Sequence, residues 1–407
     1  MLAPPWVSVP PPRYGGVETV VDALAVGYAA AGHDVRLFTV GDSSCPVPKL
    51  HLYDQAAEGD PAGATVTELV HVLAAYEALA DCDLVHDHTI AGPLIAPGPV
   101  VTTAHCPLDG EGARLYGRMS RSAIIVAASD AQVVPGVPVA RVIHHGIDAS
   151  TFPVGPGDGG YLLFLGKMTP EKGAHRALEA AFKAGKRLVL AGKVREPAER
   201  WYFERYVAPY LNDRLRFVGE VSHEEKRELL AGASALLFPI RWNEPFGMVM
   251  LEALACGTPV LAFDEGASGE VVEEGRTGFL CRDEAHMAEL IERVPELDRS
   301  ACRAAAENHF SAERMVAEYL ELFAQLVFEE IDFRFEALNM VEVGLANEAA
   351  GMGALCHVPR PFPELVGETV LVMERMEGVR YTDAEAEYEH LDGHELVRLA
   401  MGTVLEQ

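Results

Sequence analysis

The apolar positions of this chain fall into short unbroken runs, separated by segments with helical spacing. Val35–Val40, Leu84–His88, Val100–His105, Ala123–Ser129 and Val142–His145 are such runs and read as short buried strands. Val17–Ala31 reads as a helix stopped by Gly32. Pro153 to Gly160 is rich in Gly and Pro and reads as an interdomain linker. A second series follows, with strands at Tyr161–Gly166, Arg187–Ala191, Leu215–Val218, Ala235–Pro239 and Val260–Phe263. Helices are expected at about 174–184, 199–210 and 223–231, with Gly278–Cys281 a short extra strand and helical spacing from Asp283 to Leu326. Strand–helix alternation predicts an α/β protein with parallel, doubly wound sheets. The expected domains are 1–150 and 151–326, facing a cleft at the carboxyl ends of their strands. From about Val327 the alternation stops, and residues 327–407 carry about 17 acidic against 5 basic side chains.

Composition narrows the function classes. The 407 residues, 49% hydrophobic and 23% charged, have the balance of a soluble globular protein. No apolar run approaches the roughly 18 residues of a membrane span. The N-terminus has no basic region followed by an apolar one, so no signal peptide is expected. Seven cysteines without a Cys-x-x-Cys argue for reduced thiols and a cytoplasmic protein. A net charge of −28 disfavours nucleic acid as a partner. Binding an anionic nucleotide would require a local positive site within that field.

Residues 239–259 carry the most information. The strand Ala235–Pro239 leads through a loop holding Glu244 into a helix, with Glu252 expected two turns in. Gly257 and Pro259 end that helix, and the strand Val260–Phe263 follows. The backbone N–H groups of Phe246, Gly247 and Met248 are expected at the helix N-terminus, where they can hold an anion. Two glutamates eight apart also occur on solvated helix faces. The sequence Glu-Pro-Phe-Gly followed by Glu-Ala-Leu-Ala-Cys-Gly-Thr-Pro-Val is far more specific.

This stretch closely resembles the Glu-x7-Glu signature of family 4 glycosyltransferases, retaining enzymes of the GT-B fold with two Rossmann-like domains. The resemblance implies that Glu244 contacts the donor sugar and Glu252 the nucleotide ribose, while the helix N-terminus holds the diphosphate. Gly166-Lys167-Met168-Thr169-Pro170-Glu171-Lys172-Gly173 resembles the family's Gly-Arg-x4-Lys-Gly segment, whose basic residues clamp that diphosphate. Lys167 stands where arginine is usual and offers a point charge without a bidentate fork. Gly15 and Gly16 resemble the family's glycine-rich loop facing phosphate and acceptor, and the strand before them looks clipped and edge-weakened.

His105 matches a family histidine facing sugar and acceptor, and Gly266–Val272 resembles a loop that makes Glu270 a donor contact or a helix N-terminal charge. His145 departs from the family's Asn-Gly-Ile-Asp and reads as a structural turn. His86-Asp87-His88 has the composition of a metal site. Strand alternation, however, sends the histidines to one face and Asp87 to the other, so no metal and no other cofactor is expected.

Glu330–Asn339 and Val370–Gly378 resemble UbiB/AarF-type atypical kinases, an α+β fragment without an ATP-anchoring lysine strand or metal-binding aspartates. The reading implied for the whole is transfer of a sugar from a nucleotide-diphosphate sugar to an acceptor hydroxyl, on a sugar, lipid-linked or small molecule. A nucleotide-sugar epimerase and a non-catalytic nucleotide-sugar-binding fusion protein are rival readings, and a third, a kinase, would need ATP binding at 328–407, which the missing motifs argue against.

Overall fold

The computed structural model describes residues 1–13, 15–57, 64–98, 100–351 and 357–376. Tyr14 and the acidic Glu385, Glu387 and Glu389 lie outside them, as do Glu377 and Gly378. The chain divides into two compact units, Met1–Tyr319 and Leu320–Gln407.

The N-lobe of the first unit runs α1 (Gly16–Ala30), β1 (Leu37–Thr39), β2 (Lys49–His51), α2 (Ala64–Ala78), β3 (Val85–Asp87), α3 (Gly92–Ile95), β4 (Val100–Ala104), α4 (Gly110–Met119), β5 (Ala123–Ala127) and β6 (Val139–Val142). The C-lobe runs β7 (Leu162–Leu165), α5 (Ala174–Lys183), β8 (Leu188–Ala191), α6 (Pro197–Tyr206), β9 (Leu215–Phe217), α7 (His223–Gly232), β10 (Ala235–Phe238), α8 (Met248–Ala255), β11 (Val260–Phe263), α9 (Ser268–Val271), β12 (Gly278–Cys281), α10 (Glu284–Ile291) and α11 (Arg299–His309). Helix α12 (Ala312–Ile331) follows and crosses from the first unit into the second.

The C-lobe sheet has the order β9-β8-β7-β10-β11-β12, all parallel. This is the doubly wound order 3-2-1-4-5-6, whose direction of winding reverses between β7 and β10, and ligands bind at such a point. β10 and β11 are buried at every position, as strands covered on both faces by helices must be. Helix α8 is buried from Met250 to Ala255, and its side chains join Leu163, Leu236 and Phe238 in one apolar core. Such a helix cannot shift without opening that core, so its N-terminus is a fixed feature.

In the N-lobe, β3 to β6 are parallel neighbours in order, and β1 pairs with β2. Fully buried Leu2 bridges Phe38 on one side and Asp87 on the other. The expected weak first strand thus lies between β1 and β3, not at an edge. Its backbone is paired both ways, Leu2 N to His86 O at 3.0 Å and Ala3 N to Phe38 O at 3.0 Å.

Three boundaries differ from expectation. The strand expected at Val142–His145 lies at Val139–Val142, and the two histidines leave the sheet. The helix expected over 199–210 begins at Pro197 and ends at Tyr206, followed by a 3-10 turn over Ala208–Tyr210; Pro209 has no N–H to continue it. Helix α8 begins at Met248, so Glu252 lies little more than one turn in.

The start of α12 returns to the N-lobe. Tyr319 Oη lies 2.7 Å from Thr103 Oγ1, and Arg314 donates to the carbonyls of His144 and His145 at 2.7 and 3.2 Å.

In the second unit, the carboxylate of Asp332 accepts from Arg334 N at 3.0 Å and caps the start of α13 (Phe333–Ala349). Antiparallel bridges join Pro361 to Met373 and Gly367 to Val370.

Candidate active site

The loops after β7 and β10 meet at the reversal point of the C-lobe sheet. Lys172, from the first, forms an ion pair with Glu244, from the second. Trp242 Nε1 donates to the same carboxylate oxygen, Oε2, at 2.7 Å, and Lys172 Nζ sits 4.5 Å from the centre of the indole ring. Both donors converge on one oxygen of Glu244.

The lysine loop is held from beneath. Arg176 is buried, and its Nε donates to Pro239 O at 2.6 Å. Its Nη2 donates to Pro170 O and Glu171 O, each at 2.9 Å. Arg241 N reaches Glu171 O at 2.9 Å. Gly173 starts α5 at φ 79°, and a Cβ there would stand 2.3 Å from Pro239 O. Only glycine lets the loop approach β10 this closely. Gly166 directly follows β7 beside it, with its N–H on Ala191 O at 3.1 Å.

Gly247 caps α8 at φ 87°, where a Cβ would meet Phe238 at 3.0 Å. Phe246 turns its ring into the core, edge-on to His145 with centroids 5.1 Å apart. Glu252 is buried and ion-paired with Lys226, which lies in the first turn of α7. A capping box of Ser222 and Glu225 fixes where α7 starts. Both glutamates of the Glu-x7-Glu motif are therefore held by lysines.

The N-lobe supplies the facing wall. A Cβ on Gly16 would lie 3.9 Å from Met248 Cγ, so the α1 and α8 N-termini face each other. Gly15 lies beside the carboxylate of Glu18; a Cβ on it would stand 2.7 Å from Glu18 Oε2. Burial raises the Glu18 carboxyl to about 7, while its own backbone N–H and the charge of Lys167 across the cleft pull the other way. His223 Nε2 to Pro11 O, at 2.7 Å, also joins the lobes.

Glu270 holds the lobes together at the far side. It accepts from the backbone N–H groups of Asp130 and Ala131 and from His144 Nε2, all at 2.8 Å. Burial opposes its ionisation, but these bonds outweigh it and hold the carboxyl below its ordinary range. Among the described residues, Asp130, His144 and Glu270 bring potential metal-ligand atoms within 4.8 Å of one another. Three N–H groups already point at Glu270, which suits a hydrogen-bonded clamp better than a cation.

His105 Nε2 lies 2.9 Å from His88 Nδ1, and His145 stacks on His105 with centroids 5.3 Å apart. His86 contacts Thr103 Oγ1 at 2.8 Å, whereas Asp87 accepts from Tyr76 Oη at 2.7 Å on the other face. The strand alternation at 86–88 holds. His145 is more than a turn residue, since its ring joins the histidine stack to Phe246.

Sequence reasoning did not single out Trp242, Lys226, Arg176 or Glu18, and it weighed His88 only as a metal ligand. Lys226 had a signal in the Ser222-x-x-Glu225 box, and Trp242 in its position two residues before Glu244. Arg176 and His88 act through contacts between loops and strands distant in sequence, which no local pattern carries.

Residues 14–154 match the family described as Glycosyltransferase Family 4, and residues 151–309 match Glycosyl transferases group 1. Residues 291–407 match the ABC1 atypical kinase-like domain. The chain is 30% identical to glycogen synthase of Mycobacterium tuberculosis over 366 residues, covering 73% of this chain and 86% of that protein. It is 29% identical to alpha-maltose-1-phosphate synthase of the same organism, covering 76% and 93%. Among solved structures, AviGT4, a glycosyltransferase involved in avilamycin A biosynthesis, aligns with a TM-score of 0.57 at 26% identity, covering 79% and 93%. HepE of Anabaena, in complex with UDP-glucose, aligns with a TM-score of 0.62 at 20% identity, covering 80% and 98%, a likeness of fold. No described helix is long and apolar enough to cross a membrane. With two lobes, a reversal-point site and these relatives, the chain belongs to the GT-B glycosyltransferases, followed by an ABC1 kinase-like segment.

Proposed function

We propose that this protein transfers a sugar from a nucleotide-diphosphate sugar to an acceptor hydroxyl with retention of configuration. The observation that carries the reading is the convergence of Lys172, Glu244 and the α8 N-terminus at the reversal point between β7 and β10. Cleavage of the bond from the anomeric carbon leaves its electron pair on the diphosphate. Lys167, Lys172 and the N–H groups at Phe246–Met248 stabilise that charge, the kind of electrostatic term that often dominates. The acceptor oxygen bonds to the same face of the sugar, and its proton passes to the departing phosphate oxygen. No metal is needed in this scheme, because lysines and a helix N-terminus supply the positive charge.

Donor arrival exchanges partners. Lys172 turns from Glu244 to the diphosphate, which frees Glu244 for the sugar. Glu252, released in part from Lys226, takes the ribose hydroxyls. Glu270 serves lobe closure, since its oxygens are occupied by Asp130, Ala131 and His144. A glucose-bearing donor is the first to test, because relatives are named glycogen synthase and the HepE structure holds UDP-glucose. A thermal-shift screen of UDP-, ADP- and GDP-sugars tests the reading, followed by NMR of the product's anomeric centre. Donor turnover to free sugar without an acceptor would favour an epimerase instead.

A further inference from the structure

His88 and His105 follow β3 and β4, which are adjacent in the N-lobe sheet. Burial drives both imidazoles down, His88 well below its ordinary range and His105 to about 4. Both are uncharged at neutral pH, so the 2.9 Å contact from His88 Nδ1 to His105 Nε2 holds a single hydrogen.

The other nitrogen of His88 decides which ring supplies it. His88 Nε2 is buried and has no hydrogen-bond partner among the described residues. If His105 supplied the hydrogen, His88 would carry its own on Nε2, as a buried N–H without an acceptor. If His88 supplies it, Nε2 is a bare lone pair. A buried orphan N–H is the rarer and costlier outcome. His88 therefore donates from Nδ1, and His105 keeps its hydrogen on Nδ1.

The neighbours hold this arrangement in place. His86 packs on His88 with centroids 4.1 Å apart, its nitrogens engaged by Tyr28 Oη at 3.3 Å and Thr103 Oγ1 at 2.8 Å. His145 stacks on His105 at an interplanar angle of 28° and rests on Phe246 of the donor loop. His105 is only half-buried.

We propose that His88 is a positioning residue that fixes His105 in the tautomer whose Nδ1–H donates to a sugar hydroxyl oxygen in the cleft. The identity of that oxygen rests on the transferase reading; the tautomer does not. Long-range 1H–15N spectra of the unliganded protein with ring-labelled histidine read it directly. The expected pattern for His105 is a protonated Nδ1 and a bare Nε2. His88→Ala should lose that fixed pattern and lower kcat/KM by up to about tenfold, the scale of losing one orienting hydrogen bond. His88→Asn, whose amide places an N–H near the position of Nδ1, should restore both. An Nε2–H pattern in the unaltered protein overturns the proposal. So does an Nδ1–H pattern that persists in His88→Ala.

Discussion

Lys172 and Glu244 are bound to each other, and the indole N–H of Trp242 donates to the same carboxylate oxygen that takes the lysine. The two groups that the proposed function assigns to opposite ends of the donor, diphosphate and sugar, thus neutralise each other in the unliganded protein. Lys172→Ala should lower turnover at least about a hundredfold, the scale of losing one preorganised stabiliser of developing charge. Lys167→Ala should cost less, because a lysine there offers a point charge without a bidentate fork. Steady-state kcat for the two variants decides this; a near-normal kcat in Lys172→Ala moves the diphosphate site elsewhere.

Glu252 is held by Lys226, and the proposed function has a ribose take the place of the lysine. A hydrogen bond to a charged group is worth about 1.5–3 kcal/mol, or roughly tenfold to a hundredfold in affinity. Calorimetry with the cognate donor should show that loss in Glu252→Ala. Equal affinity in the two proteins would remove Glu252 from the donor site.

Glu18 makes stability depend on pH. Its folded-state carboxyl lies at about 7 against an ordinary 4.5, so the folded protein binds more protons between those values. Stability is therefore fully present below about 4.5 and falls as pH rises through about 7, by at most about 3 kcal/mol. Glu18→Gln removes that loss. Its Tm should exceed that of the unaltered protein at pH 8 and match it near pH 4.5. A pH-independent difference between the two would show that the Glu18 carboxyl is not buried as described.

Much of this architecture was legible because it depends on local signals. β10, α8 and β11 combine apolar runs with Gly257 and Pro259, so their order and direction follow from short-range rules. Glu244, Glu252 and Lys172 were marked by their glycine and proline neighbours. Other features depend on contacts between distant segments. β2 is only Lys49–His51, with an exposed and polar pattern that no apolar run announces. Glu270 carries the same local signature whether it meets a sugar or the turn at Asp130. Only the approach of the two lobes shows which groups occupy it here. The return of α12 to the N-lobe rests on Arg314 and Tyr319, neither of which stands out in an ordinary amphipathic helix.

That return sets where the chain can be shortened. A protein ending at Leu326 keeps Arg314 and Tyr319, and we expect full transferase activity and equal or better solubility. One ending at Ser311 loses the bonds to Thr103, His144 and His145 and should show a lower Tm. The full chain should bind no ATP at micromolar concentration. Saturable ATP binding that disappears on shortening to Leu326 would assign the second unit a nucleotide site of its own. Activity lost on the same shortening would make the second unit a support for the transferase.

The central claim is a nucleotide-sugar site at the reversal point of the C-lobe sheet. Calorimetric titration of the full chain with UDP-glucose, ADP-glucose and GDP-mannose, repeated on Glu252→Ala and Lys172→Ala, tests it most directly. The account predicts saturable binding of one donor without added metal, weakened in both variants. Binding of none of the three, or binding that both variants leave unchanged, would contradict it.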